Sequence, residues 1–254
     1  MNKLLSLFEQ LMQIEYLQGY EFIPEWNSKN RLQSFELLPQ DKTLKKAANI
    51  CSLIPGELYG KSVLDIGCNK GFFSFECLKR GAERVVGIDV LAPVIKIMQE
   101  ISKQDPFLKK AEFYERPFDK TIGELGNFDL LIFLSAYHYV YAQLESHDLI
   151  FSLLASVCSD SLILELPLEP DDKFAKAALQ KKLQGENLNA YNCHAILHAA
   201  SKYFNSVRYI GNSGFFRTRD IFLLQKPNEA EPLPCEWEKK GNPWSLVRPW
   251  TFKD

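Results

Sequence analysis

The chain of 254 residues lacks several features that mark other classes of protein. Its six cysteines are scattered, with no C-x-x-C pair and no spacing that would predict a disulfide framework or a zinc site. No apolar run reaches the roughly 20 residues that a transmembrane helix needs. The formal net charge of -2 provides no general basic field, which argues against tight, sequence-independent binding to duplex nucleic acid. These absences favour a cytoplasmic protein in a reducing compartment.

The start of the chain lacks the features of a targeting signal. Five apolar side chains fall on one face of a helix there: Leu4, Leu7, Phe8, Leu11 and Ile14. Glutamates interrupt this face and no small-residue cleavage site follows, so we expect a docking or lid helix. Residues 1–60 are predicted to be helical and irregular, residues 61–226 to form one α/β domain, and residues 227–254 to be a tail without clear periodicity.

An apolar strand that runs into a glycine turn is the most informative stretch. It reads D-I-G-C-N-K-G from Asp65 to Gly71, and a second strand ends at Asp89, 24 positions after Asp65. A dinucleotide loop needs a middle glycine so that the backbone can approach a pyrophosphate, and this loop has none between Gly67 and Gly71. An acid such as Asp89 can accept hydrogen bonds from both hydroxyls of a ribose. The pattern therefore predicts an adenosine-type cofactor without a diphosphate.

Strands and helices alternate after residue 60, which is typical of a parallel sheet covered on both faces by helices. Strands are predicted at 62–66, 84–89, 111–115, 128–134 and 160–166, and helices at 71–80, 93–104, 142–157 and within 174–203, the last in one or two pieces around Gly185. The domain ends in two strands, 207–211 and 216–225, joined by the turn Asn212-Ser213-Gly214.

The loop and the acid together resemble the first two motifs of class I S-adenosylmethionine-dependent methyltransferases. The resemblance covers about Lys61 to Lys226. It implies a Rossmann-like, doubly wound, mostly parallel seven-stranded sheet with an antiparallel last strand, here with an N-terminal helical extension. It also implies S-adenosyl-L-methionine as methyl donor and S-adenosyl-L-homocysteine as product. The alternative is a Rossmann-like fold that binds no cofactor.

By this resemblance a set of residues forms the donor site: Asp65, Gly67, Cys68, Gly71, Phe73, Asp89, Val90, Phe118 and Leu134. Asp65 and the two glycines would shape the pocket for the methionine end, and Asp89 would hold the ribose. The family often has an acid that contacts adenine after the third strand, and Pro117 stands at that place here. We therefore expect backbone groups and packing against Phe118 to hold the adenine.

The segment after the strand 128–134 supplies the candidate catalytic residues. His138 can take a proton from a hydroxyl, because a histidine titrates near physiological pH. Tyr137 lies beside it in the sequence, and Glu165 ends the next strand, where it would orient His138 or bind the acceptor. Alternatively, His138 has only a packing role at the end of the strand, and Glu165 is only a solvated acid at the end of its own strand. The N-P-P-Y-like tetrad of the family's amino-methylating branches is missing here, and so is a Pro-Cys pair, which favours an oxygen acceptor.

Candidate substrate-binding residues are Trp26, Arg31, Tyr139 and Arg217, with Arg219 as a further cation for a phosphate. Each arginine is alternatively a solvated surface residue. His194 and His198 are four apart on a predicted helix, a spacing that permits metal binding, but no third ligand is evident and we predict no metal.

Four short phrases, at residues 24–27, 71–74, 134–138 and 163–166, resemble the methyltransferase domain of the bifunctional methyltransferase/kinases that terminate bacterial O-antigen chains. That group methylates a terminal phosphate on a glycan. We accordingly predict methylation at oxygen of a glycan, a phospho-glycan or another small polar acceptor. The Tyr137-His138 pair equally resembles the tRNA wobble-uridine carboxymethyltransferase group, which keeps an RNA methyltransferase as an alternative. A second alternative is a catalytically silent, methyltransferase-like subunit that only binds a partner.

Overall fold

A computed structural model describes residues 2–14, 22–26, 32–37, 44–168, 189–213 and 219–226. The helices are α1 (Asn2–Met12), α2 (Leu44–Cys51), α3 (Phe72–Lys79), α4 (Ala92–Ser102), α5 (Tyr137–Leu144), α6 (His147–Val157) and α7 (Cys193–Tyr203), with short 3-10 turns at Leu108–Lys110 and Ile122–Leu125. The strands are β1 (Phe22–Trp26), β2 (Leu32–Leu37), β3 (Ser62–Ile66), β4 (Arg84–Asp89), β5 (Ala111–Glu115), β6 (Phe128–Leu134), β7 (Cys158–Pro167), β8 (Ser206–Asn212) and β9 (Arg219–Gln225).

Seven strands form one mixed sheet in the order β5-β4-β3-β6-β7-β9-β8. The β3/β4, β4/β5 and β6/β7 pairs are parallel, and β9 is antiparallel to both of its neighbours. The expected doubly wound, mostly parallel sheet with an antiparallel last strand is therefore confirmed. Contacts divide the chain into two compact units, residues 1–117 and residues from 118 onward.

The first unit contains the glycine turn and the second strand. Val63, Leu64 and Ile66 are buried on both faces of β3, which is why this strand reads as a continuous apolar run rather than an alternating one. Helix α1 packs against α4 and β1 through the apolar face that its sequence predicts. The buried members of that face among the described side chains are Leu4, Phe8 and Leu11.

The N-terminal extension also contains a hairpin that the helical prediction did not include. Strands β1 and β2 pair antiparallel, with Phe22 opposite Leu37 and Pro24 opposite Phe35. Phe22 and Pro24 are both buried, as expected for alternate residues of a strand. A proline is tolerated here because both strands of a two-stranded sheet are edges.

In the second unit β6 pairs with β7, and β9 pairs with β7 and β8. The predicted helix 142–157 is wrong in its bounds, because two helices, α5 and α6, occupy residues 137–157. Glu145 adopts a left-handed conformation with φ of 53°, and the Ser146 hydroxyl caps α6 by accepting from the Leu149 N–H at 3.1 Å. Serine followed by an acid in the first turn, Asp148, is a helix-start signal that the apolar periodicity masked.

The other boundaries agree with the predictions to within one or two residues where the chain is described. The helix predicted within 174–203 is confirmed over Cys193–Tyr203, and the part around Gly185 lies outside the described residues. The same holds for residues 214–218 of the final turn and for the tail 227–254. None of the described helices has the length and apolar character needed to cross a bilayer.

Candidate active site

The glycine turn between β3 and α3 depends on three residues with positive φ. Gly67 has φ of 71°, Asn69 of 49° and Gly71 of 77°. At Gly71 the left-handed backbone disfavours any other residue, and a Cβ would also lie 2.1 Å from Cε of Met98, whose flexible end would have to move. Asparagine is the residue type that enters this region most readily after glycine. The sequence therefore has glycine or asparagine at each of the three positions where the turn needs a positive φ.

Asp89 fixes this turn from the end of β4. Its Oδ2 accepts a hydrogen bond from the Asn69 N–H at 2.8 Å, and its Oδ1 accepts from the Leu91 N–H at 3.1 Å. Burial raises the pKa of the carboxyl, and the backbone N–H donors from Asn69 and Leu91 oppose that rise. Each carboxylate oxygen has a further lone pair, so Asp89 retains acceptor capacity for a ligand. Val90, the next residue, is an apolar side chain that is 64% exposed.

Asp65 is enclosed behind the turn. Its Oδ2 accepts a hydrogen bond from the Ser74 hydroxyl at 2.6 Å, which ties β3 to the first turn of α3. Burial raises the pKa of this carboxyl to about 7, the Ser74 bond opposes the rise, and the charge of Asp89 adds to it. Asp65 is therefore divided between its charged and neutral forms at neutral pH.

Asp65→Asn is expected to change how stability depends on pH. A folded-state pKa near 7, above the ordinary 3.8, contributes stability that is present below about pH 4 and is lost as pH rises through 7. The variant lacks this loss, so its melting temperature relative to wild type should rise by several degrees between pH 5 and pH 8. Thermal melts of wild type, Asp65→Asn and the control Glu57→Gln, at an exposed carboxylate, measure this. Parallel curves for all three proteins would contradict the raised pKa.

The remaining predicted donor residues of the first unit occupy different surroundings. Cys68 is buried, its Sγ lies 3.0 Å from where a Cβ on Gly87 would be, and burial raises the pKa of its thiol well above the usual value. A buried thiol with a raised pKa is unreactive, so Cys68 contributes through packing. Phe73 is buried against Phe72, with ring centroids 5.2 Å apart.

In the second unit, a carboxylate and a hydroxyl meet at the ends of β6 and β7. Leu134 pairs with Glu165, and Ser135 follows in a left-handed conformation with φ of 59°. The Ser135 N–H donates to the Glu165 carbonyl at 3.1 Å, and its hydroxyl donates to Oε2 of the Glu165 side chain at 2.6 Å. A non-glycine residue in this conformation costs on the order of 1 kcal/mol, which the two bonds to Glu165 offset.

His138 and Tyr139 lie in the first turn of α5, directly after this pair. His138 is fully buried, whereas Tyr139 is 52% exposed, and the two ring centroids are 4.2 Å apart. The arrangement places an accessible aromatic face against an enclosed imidazole. It is suited to packing against one side of an acceptor while the histidine is kept from bulk water.

Tyr137 points elsewhere. Its hydroxyl is 2.7 Å from Nδ1 of His147, and Nε2 of His147 is 3.1 Å from the Ala190 carbonyl oxygen. A carbonyl only accepts, so His147 donates from Nε2, and its Nδ1 accepts a hydrogen bond from the Tyr137 hydroxyl. Burial lowers the pKa of His147 to about 4, which keeps the ring neutral, and burial raises the pKa of Tyr137. The Tyr137 hydroxyl is thus held in an interior aromatic cluster with Tyr141 and Tyr191.

Of the other predicted residues, Phe118 is buried and stacks on Phe133 at 5.7 Å between centroids. Trp26 ends β1, and its side chain lies outside the described residues, as do Arg31 and Arg217. Arg219, by contrast, is buried at the start of β9, opposite Pro167. In the described part of the chain, no His, Cys, Asp and Glu side chains gather in a group of three that would hold a metal ion.

Sequence reasoning missed the two residues that shape these groups, Asn69 and Ser135. Asn69 carries a readable signal, because an asparagine two residues before a glycine in a tight turn is a common left-handed position. Ser135 carries none, since serine has no special preference for that conformation and its partner Glu165 is 30 residues away.

Comparison with known proteins agrees with this geometry. A family model described as a methyltransferase domain matches residues 58–242. The O-antigen chain terminator bifunctional methyltransferase/kinase WbdD of Escherichia coli is 33% identical over 114 residues, which are 43% of this chain and 16% of that protein. The tRNA U34 carboxymethyltransferase of Campylobacter hominis is 30% identical over 84 residues, 33% of this chain and 28% of that protein.

The crystal structure of monomeric WbdD has a TM-score of 0.51 with this chain at 22% identity, covering 73% of this chain and 43% of that one, which shows a shared fold. These relatives are matched over less than half of their own length. The family model, in contrast, covers more than half of this chain and includes both the glycine turn and Asp89. The chain therefore belongs to the methyltransferase domain family.

Proposed function

We propose that this enzyme transfers the methyl group of S-adenosyl-L-methionine to an oxygen atom of a glycan, a phospho-glycan or another small polar acceptor. The observation that carries the donor half of the proposal is Asp89: its Oδ2 accepts from Asn69 of the glycine turn and its Oδ1 accepts from the Leu91 N–H, while each oxygen keeps a lone pair for a ribose hydroxyl. A reducing, cytoplasmic setting is proposed, because the spacing of the cysteines in the sequence predicts no disulfide framework.

The residues of the first unit fit this donor. Asp89 would accept from the ribose, the exposed Val90 beside it would pack on the adenine, and the turn from Gly67 to Gly71 would face the methionine end. Phe118 and Leu134 are further proposed contacts of the donor. When bound, the sulfonium supplies an electrophilic methyl group, and the protein's own contribution is orientation and exclusion of water.

The acceptor half rests on the second unit. His138 would take the proton of an acceptor hydroxyl, which requires the acceptor to gain access to an imidazole that is fully buried in this structure. Glu165, oriented by the Ser135 hydroxyl at 2.6 Å, would position the acceptor or the imidazole. Tyr139 would provide a packing surface for a sugar ring. With its hydroxyl engaged by His147, Tyr137 would serve as the anchor of α5.

A phosphate acceptor needs orientation rather than a base, because its oxygen is already anionic. The relative that matches residues of this chain at 33% identity is named an O-antigen chain terminator, which supports a glycan or phospho-glycan acceptor. For such an acceptor Arg219, together with Arg31 and Arg217, is the proposed source of positive charge. The likeness to a tRNA carboxymethyltransferase supports RNA as the second candidate acceptor.

The test is a screen with methyl-labelled S-adenosylmethionine. Glycan, phospho-glycan and tRNA fractions are offered in parallel, and label is expected in one of the first two. Label in tRNA alone would replace the proposed acceptor by the second candidate. Tight binding of S-adenosylhomocysteine with no label in any fraction would instead favour a catalytically silent binding subunit.

Dinucleotides are expected not to bind. The turn between Gly67 and Gly71 has Asn69 where a pyrophosphate loop has its middle glycine, and the Asn69 N–H is already donated to Asp89. Thermal-shift measurements should show a rise in melting temperature with S-adenosylhomocysteine and none with NAD or NADP. A larger rise with either dinucleotide would overturn the assigned cofactor class.

A further inference from the structure

Lys70, the lysine of the glycine turn, links this turn to helix α1 within the first unit. Lys70 is only 3% exposed, and its main-chain N–H donates to the Asn69 side-chain oxygen at 2.7 Å. Its Nζ donates to the carbonyl oxygen of Met12, 58 residues earlier in the chain, at 3.2 Å. The main chain of Lys70 is therefore part of the turn, while its side chain ends on helix α1.

Met12 is the last residue of α1, so its carbonyl is one of those left without a partner inside the helix. A cation at this end also opposes the negative pole of the helix dipole. Burial of an ammonium requires such compensation, because an enclosed charge is otherwise costly. The contact thus stabilises both the end of α1 and the enclosed position of Lys70.

A second, apolar contact joins the same two parts. The Phe8 ring of α1 lies 5.8 Å from the Phe75 ring of α3, measured between centroids. The Phe75 N–H in turn donates to the Gly71 carbonyl at 2.9 Å, at the end of the glycine turn. Helix α1 is therefore joined to the turn through a polar path and an apolar path.

We propose that helix α1 is a coupled part of the donor site and that Lys70 is the positioning residue that couples them. The turn and α1 share Lys70, so a donor that binds only the ordered turn also favours the docked α1, and docking of α1 favours donor binding by the same factor. This inference rests on the proposed donor. It assigns to the N-terminal helix a role in cofactor affinity rather than in acceptor recognition.

Hydrogen exchange of α1 tests the proposal in the full-length protein. Saturating S-adenosylhomocysteine is expected to slow exchange in peptides from residues 2–14 by about tenfold, with little change in α2 of the same unit. Helix α1 exchanging at one rate with and without bound ligand would overturn the proposal. A wild type that does not bind S-adenosylhomocysteine at all would instead remove the proposed function, and the inference with it.

Substitution separates coupling from a merely structural role. Lys70→Met keeps an unbranched chain of similar length, removes the charge and takes this donor away from the Met12 carbonyl. It should weaken binding of S-adenosylhomocysteine by about tenfold and abolish the ligand-induced protection of α1 at saturation. Lys70→Arg, which retains a donor, should restore part of both. The control Lys103→Met, at a lysine directly after α4 whose side chain is 65% exposed, should match wild type. Wild-type affinity and protection in Lys70→Met would overturn the proposal.

Discussion

His138→Ala is expected to lower turnover on a hydroxyl acceptor by about a hundredfold or more. The hydroxyl must lose its proton as the methyl group is transferred, and the enclosed imidazole of His138 is the group proposed to receive it. In a series of rates against pH, the wild type should show a titrating group on the acid side that the variant lacks. Activity of the variant equal to wild type across the series would remove His138 from the catalytic residues and leave Glu165 and Tyr139 to be tested.

The same variant distinguishes the two proposed kinds of acceptor. A phosphate oxygen has already lost its proton, so His138→Ala should then have a smaller effect, with little dependence on pH between about 7 and 9. His138 is fully buried, so removal of the ring also leaves a cavity, and His138→Asn should accompany it with thermal melts of both. His198→Ala, at an exposed histidine of α7, is the matched control.

Asp89→Ala is expected to weaken donor binding by about ten- to a hundredfold. The substitution removes the proposed ribose acceptor and also the partner of the Asn69 N–H, so the turn loses part of its support. Calorimetry with S-adenosylhomocysteine measures the effect. Asp105→Ala is the control, because the Asp105 side chain makes a similar bond to a main-chain N–H two residues on, that of Phe107 at 2.7 Å. Unchanged affinity in Asp89→Ala would show that Asp89 is not the residue that binds the ribose.

A ligand without ribose hydroxyls separates the two roles of Asp89. An analogue of S-adenosylhomocysteine that lacks both hydroxyls should bind wild type more weakly than the parent, and Asp89→Ala should weaken its binding by a smaller factor than it weakens binding of the parent. If the carboxylate acted only through the turn, the analogue and the parent would be weakened equally by the substitution. The coupling free energy from these four affinities therefore measures the ribose contact itself.

The glycine turn and the parallel strands were accessible from sequence because their signals are local. Asp65, Gly67 and Gly71 are close neighbours in the chain, and inner strands buried on both faces read as apolar runs. The donor site follows from such local signals, although each assigned contact remains a prediction. The hairpin of β1 and β2 was not recognised, because a proline interrupts the first strand.

The acceptor side was less accessible because it depends on where α5 begins. Placing residues 135–139 in a loop put Tyr137 and His138 side by side, whereas a helix that starts at Tyr137 turns successive side chains about 100° apart. Tyr137 accordingly reaches His147, ten residues later. The bond between Ser135 and Glu165 likewise depends on the pairing of β6 with β7, which single-sequence periodicity does not specify.

The position of β9 has a consequence for biosynthesis. Strand β9 lies between β7 and β8 although it follows both in the chain, and among the described strands β8 pairs only with β9. While a nascent chain is shorter than residue 219, one edge of β7 and the whole of β8 have no strand partner. The second half of the sheet can therefore close only after nearly all of the described chain has left the ribosome. Until then its open edges are available to aggregation or to chaperones.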